Sequence, residues 1–386
     1  MTLPRALAKR GDIDPFIAMD VMRLANERAA RGEDIIHMEV GQPARPAPRK
    51  VIEAARDALD SERLGYTDAL GLPLLRARIA AHYRERYGVE VASERVVVTT
   101  GSSAGFVLAF LAILDAGARV ALPAPGYPAY RQILHVLGAE PVMLEARAET
   151  RWMPGPEELR RASEGAGLDA FLIASPANPT GTMLVGDALA RLIETAAEIK
   201  CWFVSDEIYH GLEYGAPAQS ALQHSSSAII VNSFSKYYCM TGWRIGWIVV
   251  PEDMIRPVER LAQNLYIAPP TLSQHAAVAA FDCGDELDAV KEGYAANRAL
   301  LMGELPAAGL DTFLPADGAF YLYADVRALT NDSVAFARAM LRETGVAATP
   351  GVDFDAAHGA HYIRLCYAGT REETAEAVKR LRAWLA

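Results

Sequence analysis

Lysine is scarce in this chain of 386 residues: only six of its 38 basic residues are lysine. Cysteine is scarce too. Cys201, Cys239, Cys283 and Cys366 lie far apart with no CxxC pair, which excludes a zinc ribbon or disulfide framework and suits reduced thiols. The eight histidines show no HExxH-type spacing, so no metal site is expected. Long apolar runs are missing. The longest, "AGFVLAFLAIL" at 104–114, is too short for a bilayer and suits a buried helix. The opening "MTLPRALAKRGD" lacks a signal peptide's apolar core, and a cytoplasmic protein without membrane association is expected. An excess of cations is absent as well: the formal charge is -10 and the basic residues are scattered. A general nucleic-acid binder needs the opposite. Neither GxGxxG nor GxxxxGK[ST] occurs, so the dinucleotide and P-loop fingerprints are excluded.

What is present is an ordinary globular composition, 51% apolar and 22% charged. The middle of the chain alternates short, wholly apolar β-rich runs with helical stretches: "RVVVTT" (95–100), "ARVALP" (118–123), "DAFLIAS" (169–175), "CWFVSD" (201–206), "AIIVNSF" (228–234) and "RIGWIVV" (244–250). Strands apolar on both faces and spaced by helices predict a mostly parallel sheet covered by helices, an α/β core. The ends differ. Residues 15–31 have helical spacing, followed by "IIHMEV" and the breaker "GQPARPAP". After about residue 285 a long helical stretch precedes "GAFYLYADV", another helix, "HYIRLCYAG" and a closing helix. This predicts a smaller α+β domain built from both chain ends, 1–45 and 285–386, beside a large domain at 46–284.

Ligands of open α/β sheets bind beyond the carboxyl ends of the strands, and here nearly every expected strand ends in polar residues. "TTGSSAG" opens a helix with small residues and free N–H groups that suit an anion, although a tight βα turn would look the same. "SPANPTG" sets Asn178 at a strand end. "SDEIYHGL" sets Asp206 at the edge of an apolar sheet with Tyr209 three residues on; a helix cap is the plainer role for Asp206. "NSFSKYYCMTGWRIGW" holds Ser233, Ser235 and Lys236, with Arg244 eight positions beyond the lysine and no acid beside it. A solvated lysine at a turn is one reading; an amine held for covalent chemistry is the other. Together the strand ends offer hydroxyls, a helix N-terminus, a guanidinium, a carboxylate, a phenol, an amide and an amine. Pyridoxal 5'-phosphate needs that set: a lysine for a Schiff base, an acid opposite the ring nitrogen and a phosphate cradle.

At these residues the chain resembles the class I pyridoxal-phosphate-dependent aminotransferases of the aspartate aminotransferase fold. "SFSKYYCMTGWRIGW" carries the resemblance most specifically, and "GYTDALGLPLLR", "PGYPAY", "SPANPTG", "DEIYHGL" and "IRLCYA" follow in the family's order and spacing. The resemblance implies that Lys236 is the Schiff-base lysine and that Asp206 keeps the pyridine nitrogen protonated. It further implies that Tyr209 and Asn178 bond the ring's phenolic oxygen and that Tyr127 stacks on the ring. Ser102, Ser103, Ser233, Ser235 and Arg244 would hold the phosphate. Tyr66 is similar to a tyrosine that reaches the neighbouring subunit's phosphate, which implies a homodimer; "NLYIAPPT" (264–271) would lie near that partner. Arg364, between Ile363 and Leu365, resembles the arginine that clamps the substrate α-carboxylate with help from the backbone at Gly41.

Two departures matter. Ser103 stands where some bacterial members have a lysine that reads a distal carboxylate, so strict aspartate specificity is not expected. "PGVDFDAAH" keeps Phe354 but has Asp355 where glycine is usual, a change expected to affect a loop more than the chemistry. The expected reaction is ping-pong transfer of an amino group between an amino acid and a 2-keto acid, with Lys236 as base and then acid. A lyase, decarboxylase or racemase on the same fold is the alternative, and a cofactor-binding regulator a more distant one.

Overall fold

The computed structural model describes residues 7–386, so the first six residues of the expected small domain lie outside the described residues. A two-residue strand β1 (Ile36–His37) stands apart from the main sheet. That sheet comprises β2 (Val96–Thr99), β3 (Arg119–Ala124), β4 (Glu140–Glu145), β5 (Ala170–Ala174), β6 (Trp202–Asp206), β7 (Ile229–Ser233) and β8 (Gly246–Val249). Its order is β2-β8-β7-β6-β5-β3-β4, and only β8 runs antiparallel to its neighbours. The mixed α/β core with a mostly parallel sheet is therefore as expected.

The period of two along each strand sorts the apolar residues into two cores, one on each face. Phe171 and Ile173 of β5 join Val96, Val98, Phe203, Ile230 and Trp247 on one side. Ala170 and Leu172 join Val97, Val120, Val204, Ile229 and Ile248 on the other, under the helix Gly101–Ile113. Each such Val, Leu, Ile or Phe contributes about 1.5–3 kcal/mol on burial, which is why these runs contain no charge until the strand ends. Strand β4 was not expected from the sequence. Only Leu144 of it is buried, and it carries Pro141, both features of an edge strand rather than of an apolar run.

The remaining strands are β9 (Tyr321–Asp325), β10 (Val346–Ala347), β11 (Thr349–Pro350) and β12 (Tyr362–Cys366). β12 is the middle strand of an antiparallel sheet β11-β12-β9, and β10 pairs in parallel with β1. A separate apolar cluster gathers Ile36 and Met38 with Leu301, Phe320, Leu322, Ile363, Leu365 and Leu381. Thus residues near both chain ends share one core. None of the helices among the described residues is long and apolar enough to cross a membrane.

Candidate active site

Strand register brings the polar chain segments together. β2, β3, β5, β6 and β7 all point the same way, so the segments following them emerge at one edge of the sheet. They meet the loop after β1, the first helix (Ile17–Ala29) and β12 around a cavity of about 460 Å³. Gly41, Ser102, Ser103, Tyr127, Asn178, Asp206, Tyr209, Ser235, Lys236, Arg244 and Arg364 all line it. Two expected residues do not. Ser233 is buried beside Ser235, its hydroxyl donating at 2.9 Å to Ser235 Oγ and at 3.1 Å to the Ile245 carbonyl. Tyr66 is 85% exposed and lies outside the cavity of its own chain.

Lys236 follows the end of β7, and its Nζ donates to the Gly41 carbonyl at 2.5 Å. Burial, with Arg364 and Arg244 adding to it, pulls its ammonium down to about 8. A surface lysine would not behave so; the solvated reading fails on this point. Asp206, at the end of β6, is pushed up to about 6 by burial. It accepts from the Ile208 backbone N–H at 3.0 Å, and the Tyr130 hydroxyl donates to its other oxygen. The Ile208 bond closes a short turn and no helix starts there, so Asp206 does not take the helix-cap role. Tyr209 shares a 2.7 Å hydrogen bond with Tyr321.

Arg364 is 1% exposed, in a central strand, not at an edge. Its guanidinium lies between the rings of Tyr321 and Phe354, 4.4 and 4.7 Å from their centroids. Nη1 donates to Asn178 Oδ1 at 2.8 Å, and Nη2 reaches Thr349 Oγ1 at 3.2 Å and the Glu39 carbonyl. Its Nε has no partner, and no carboxylate lies within ion-pair distance among the described residues. A buried cation without an anion is costly unless a ligand supplies one.

Opposite Arg364 is an anion cradle. The helix Gly101–Ile113 begins with no side-chain cap and no acid in its first turn, leaving the N–H groups at Ser102 and Ser103 beside Ser235, Thr241 and Arg244. Gly101 has φ +75°, and a Cβ there would stand 2.4 Å from an Arg244 nitrogen. Only glycine lets the guanidinium approach the helix start so closely.

Sequence reasoning missed Tyr130, Tyr321, Phe16, Met19 and Met22, all of which line the cavity. Tyr130 was recoverable: it lies three residues beyond Tyr127, one helical turn away. The first helix was not, because nothing local says it will be anchored over the site. Its start is held by Asp353, whose carboxylate accepts the N–H groups of Ile17 and Ala18, both at 3.1 Å. Asp355 forms a local turn, accepting from the N–H groups of Ala357 at 2.8 Å and His358 at 3.1 Å, in keeping with a loop role.

Residues 33–381 match the family model for aminotransferase class I and II. The chain is 47% identical over 383 residues to a valine–pyruvate aminotransferase from Mycobacterium tuberculosis, covering 98% of each protein. It is 33% identical to an aspartate/prephenate aminotransferase from Thermus thermophilus, covering 97% of this chain and 98% of that one. Among solved structures, an aminotransferase from Mycobacterium tuberculosis superposes with a TM-score of 0.96 at 46% identity, covering 99% of both chains. An aspartate aminotransferase from Thermus thermophilus with maleate superposes at 0.93 with 32% identity, covering 98% of this chain and 99% of that one.

Proposed function

This chain belongs to the family of class I and class II aminotransferases and transfers amino groups, and we propose that it does so with pyridoxal 5'-phosphate held in the 460 Å³ cavity. Three features support the fit. The uncapped helix start with Ser102, Ser103, Ser235 and Arg244 suits a phosphate. Asp206 is a buried carboxylate with no cationic side chain bonded to it, suited to a protonated ring nitrogen. Lys236 is a buried amine that burial keeps partly neutral, as attack on an aldehyde requires. Tyr127 would stack on the ring, with Tyr209 and Asn178 bonding its phenolic oxygen.

When bound, pyridoxal phosphate supplies an electron sink conjugated to the substrate's Cα. The chain's residues do the rest. Arg364 and the Gly41 backbone orient the substrate carboxylate, which fixes the Cα–H relative to Lys236. Lys236 Nζ takes the Cα proton as a base and later gives it up as an acid. Asp206 holds a proton at the ring nitrogen. The first helix, with Phe16, Met19 and Met22, covers the cavity and limits access of water. Among the described residues the lining cations besides Lys236 are Arg244 and Arg364, both assigned above, and neither is spare for a distal carboxylate. Amino acids with neutral, apolar side chains are the favoured donors.

The same reading makes 46–284 a cofactor-binding domain and 1–45 with 285–386 a substrate-closing domain; the β1/β10 pairing and shared apolar cluster support that division. The protein would act in the cytoplasm as a homodimer. The exposed Tyr66, Leu265 and Ile267 support a partner surface there. The observation that carries the function is the unpaired, buried Arg364 sharing one cavity with the buried Lys236. Product analysis tests it: L-valine should give its keto acid catalytically only when an acceptor such as pyruvate is present. Sustained turnover without acceptor would mean lyase, decarboxylase or racemase chemistry and would overturn the reading.

A further inference from the structure

Strand β9 opens with Tyr321, a buried residue on which three parts of the site converge. Its ring lies 4.4 Å from the Arg364 guanidinium. Its hydroxyl stands against Gly41, where a Cβ would come within 1.6 Å of the oxygen, so a side chain at 41 would displace it. The Gly41 carbonyl is in turn the acceptor of Lys236 Nζ. The Tyr321 hydroxyl also shares a 2.7 Å hydrogen bond with the hydroxyl of Tyr209, and both tyrosines line the cavity.

Counting protons gives that bond a direction. Each phenol has one proton to donate and lone pairs that accept. Among the described residues neither hydroxyl has a further hydrogen-bond partner, so the pair uses one proton and leaves the other for whatever enters the cavity. If Tyr209 spends its proton on the ring's phenolic oxygen, it has none to give to Tyr321. The proton between the two phenols is then the one on Tyr321, and Tyr209 is the acceptor. Packing alone does not call for this oxygen. A phenylalanine would keep the ring beside Arg364 and its edge contact with the Tyr209 ring, 5.7 Å between centroids, and would relieve the crowding at Gly41.

We propose that Tyr321 is a positioning residue: its hydroxyl donates to Tyr209, fixes where that phenol points and strengthens its bond to the ring's phenolic oxygen. The role of Tyr321 rests on the placement of Tyr209 at that oxygen, proposed above. One hydrogen bond feeding another strengthens it by about 10–30% in a site shielded from water. A stronger donor draws negative charge from the ring oxygen, which then holds the neighbouring Schiff-base proton less tightly. Tyr321 thereby lowers the pH at which that proton is lost, without touching the cofactor itself.

Titrating the visible absorbance of the pyridoxal-phosphate-loaded protein with pH, in the absence of substrate, tests this on four proteins: wild type, Tyr209→Phe, Tyr321→Phe and the double variant. Tyr209→Phe removes a whole hydrogen bond to a charged oxygen and should raise the midpoint by about 1–2 pH units. Tyr321→Phe removes only the reinforcement and should raise it by about 0.2–0.6 pH units. The double variant should titrate with Tyr209→Phe, because Tyr321 acts through Tyr209 alone. A merely structural tyrosine would leave the midpoint where it is. If Tyr209→Phe shifts the midpoint while Tyr321→Phe leaves it unchanged or lowers it, the proposal is overturned and the placement of Tyr209 stands. Shifts that add in the double variant overturn it too, since Tyr321 would then act independently. If Tyr209→Phe itself causes no shift, Tyr209 is not at the phenolic oxygen, and both assignments fall.

Discussion

Replacing Arg364 with lysine removes the guanidinium held between Tyr321 and Phe354 while keeping a positive charge. A lysine ammonium is a point charge that cannot grip a carboxylate through two parallel N–H groups. Charge-assisted hydrogen bonds contribute about 1.5–3 kcal/mol each. Losing one of a bidentate pair, with the second retained in poorer geometry, costs about 2–3 kcal/mol of transition-state binding, or about 30- to 150-fold in kcat/KM. The informative assay compares two donors, L-valine and isobutylamine, the second being the same molecule without its carboxylate. The wild-type enzyme should prefer L-valine strongly, and Arg364→Lys should erase most of that preference by losing activity on L-valine alone. Because Arg364 has no acid partner among the described residues, the substitution leaves no buried carboxylate there stranded, and the change in melting temperature should be small. An equal loss on both donors would refute the reasoning, for it would mean that Arg364 supports the fold or the cofactor and does not read the carboxylate.

Lys236→Ala should retain cofactor through the phosphate contacts yet lose turnover by at least about 10³-fold, the scale of a removed general base; stopped-flow single turnovers would show it. In the wild type, proton removal needs neutral Lys236, whose ammonium is drawn down to about 8 by burial. Therefore kcat should rise with pH through about 8 and then level; a kcat that falls over that range contradicts the base assignment. Gly101→Ala places a Cβ against the Arg244 guanidinium and forces alanine to φ +75°, so cofactor retention on dialysis should weaken about tenfold or more; unchanged retention would remove Arg244 and this helix start from the phosphate site. Ser103→Lys returns a cation to the cavity rim and should raise activity on L-aspartate relative to L-valine by about tenfold, the scale of a partly exposed ion pair. No change in that ratio would show that the distal group points elsewhere.

Much of this was legible because the large sheet writes itself in apolar runs. Strands β2, β3 and β5 to β8 are largely buried on both faces, so their middles are apolar and polar residues gather at their ends. The polar residues at or just beyond the carboxyl ends of these strands mark the cavity: Asn178, Asp206, Ser235 and Lys236 all line it. The edge strand β4 was hidden because one of its faces meets water. Tyr321 and Phe354 were hidden because their role lies in packing against Arg364 from different strands and loops, a relation no local pattern encodes. Ser233 is a different case. Its place in a serine-rich strand end looks the same as Ser235's, but Ser233 ends β7 while Ser235 lies in the turn that follows, and of the two only Ser235 lines the cavity.

The account's central claim is that one buried lysine binds pyridoxal phosphate covalently. Reducing the coloured protein with borohydride, digesting it and locating the pyridoxyl mass by tandem spectrometry tests that claim at residue level. The predicted outcome is a single stable adduct on the peptide containing Lys236, accompanied by loss of visible absorbance and of all transaminase activity. An adduct on Lys50, Lys200 or any other lysine, or a protein that takes up no pyridoxal phosphate at all, contradicts it.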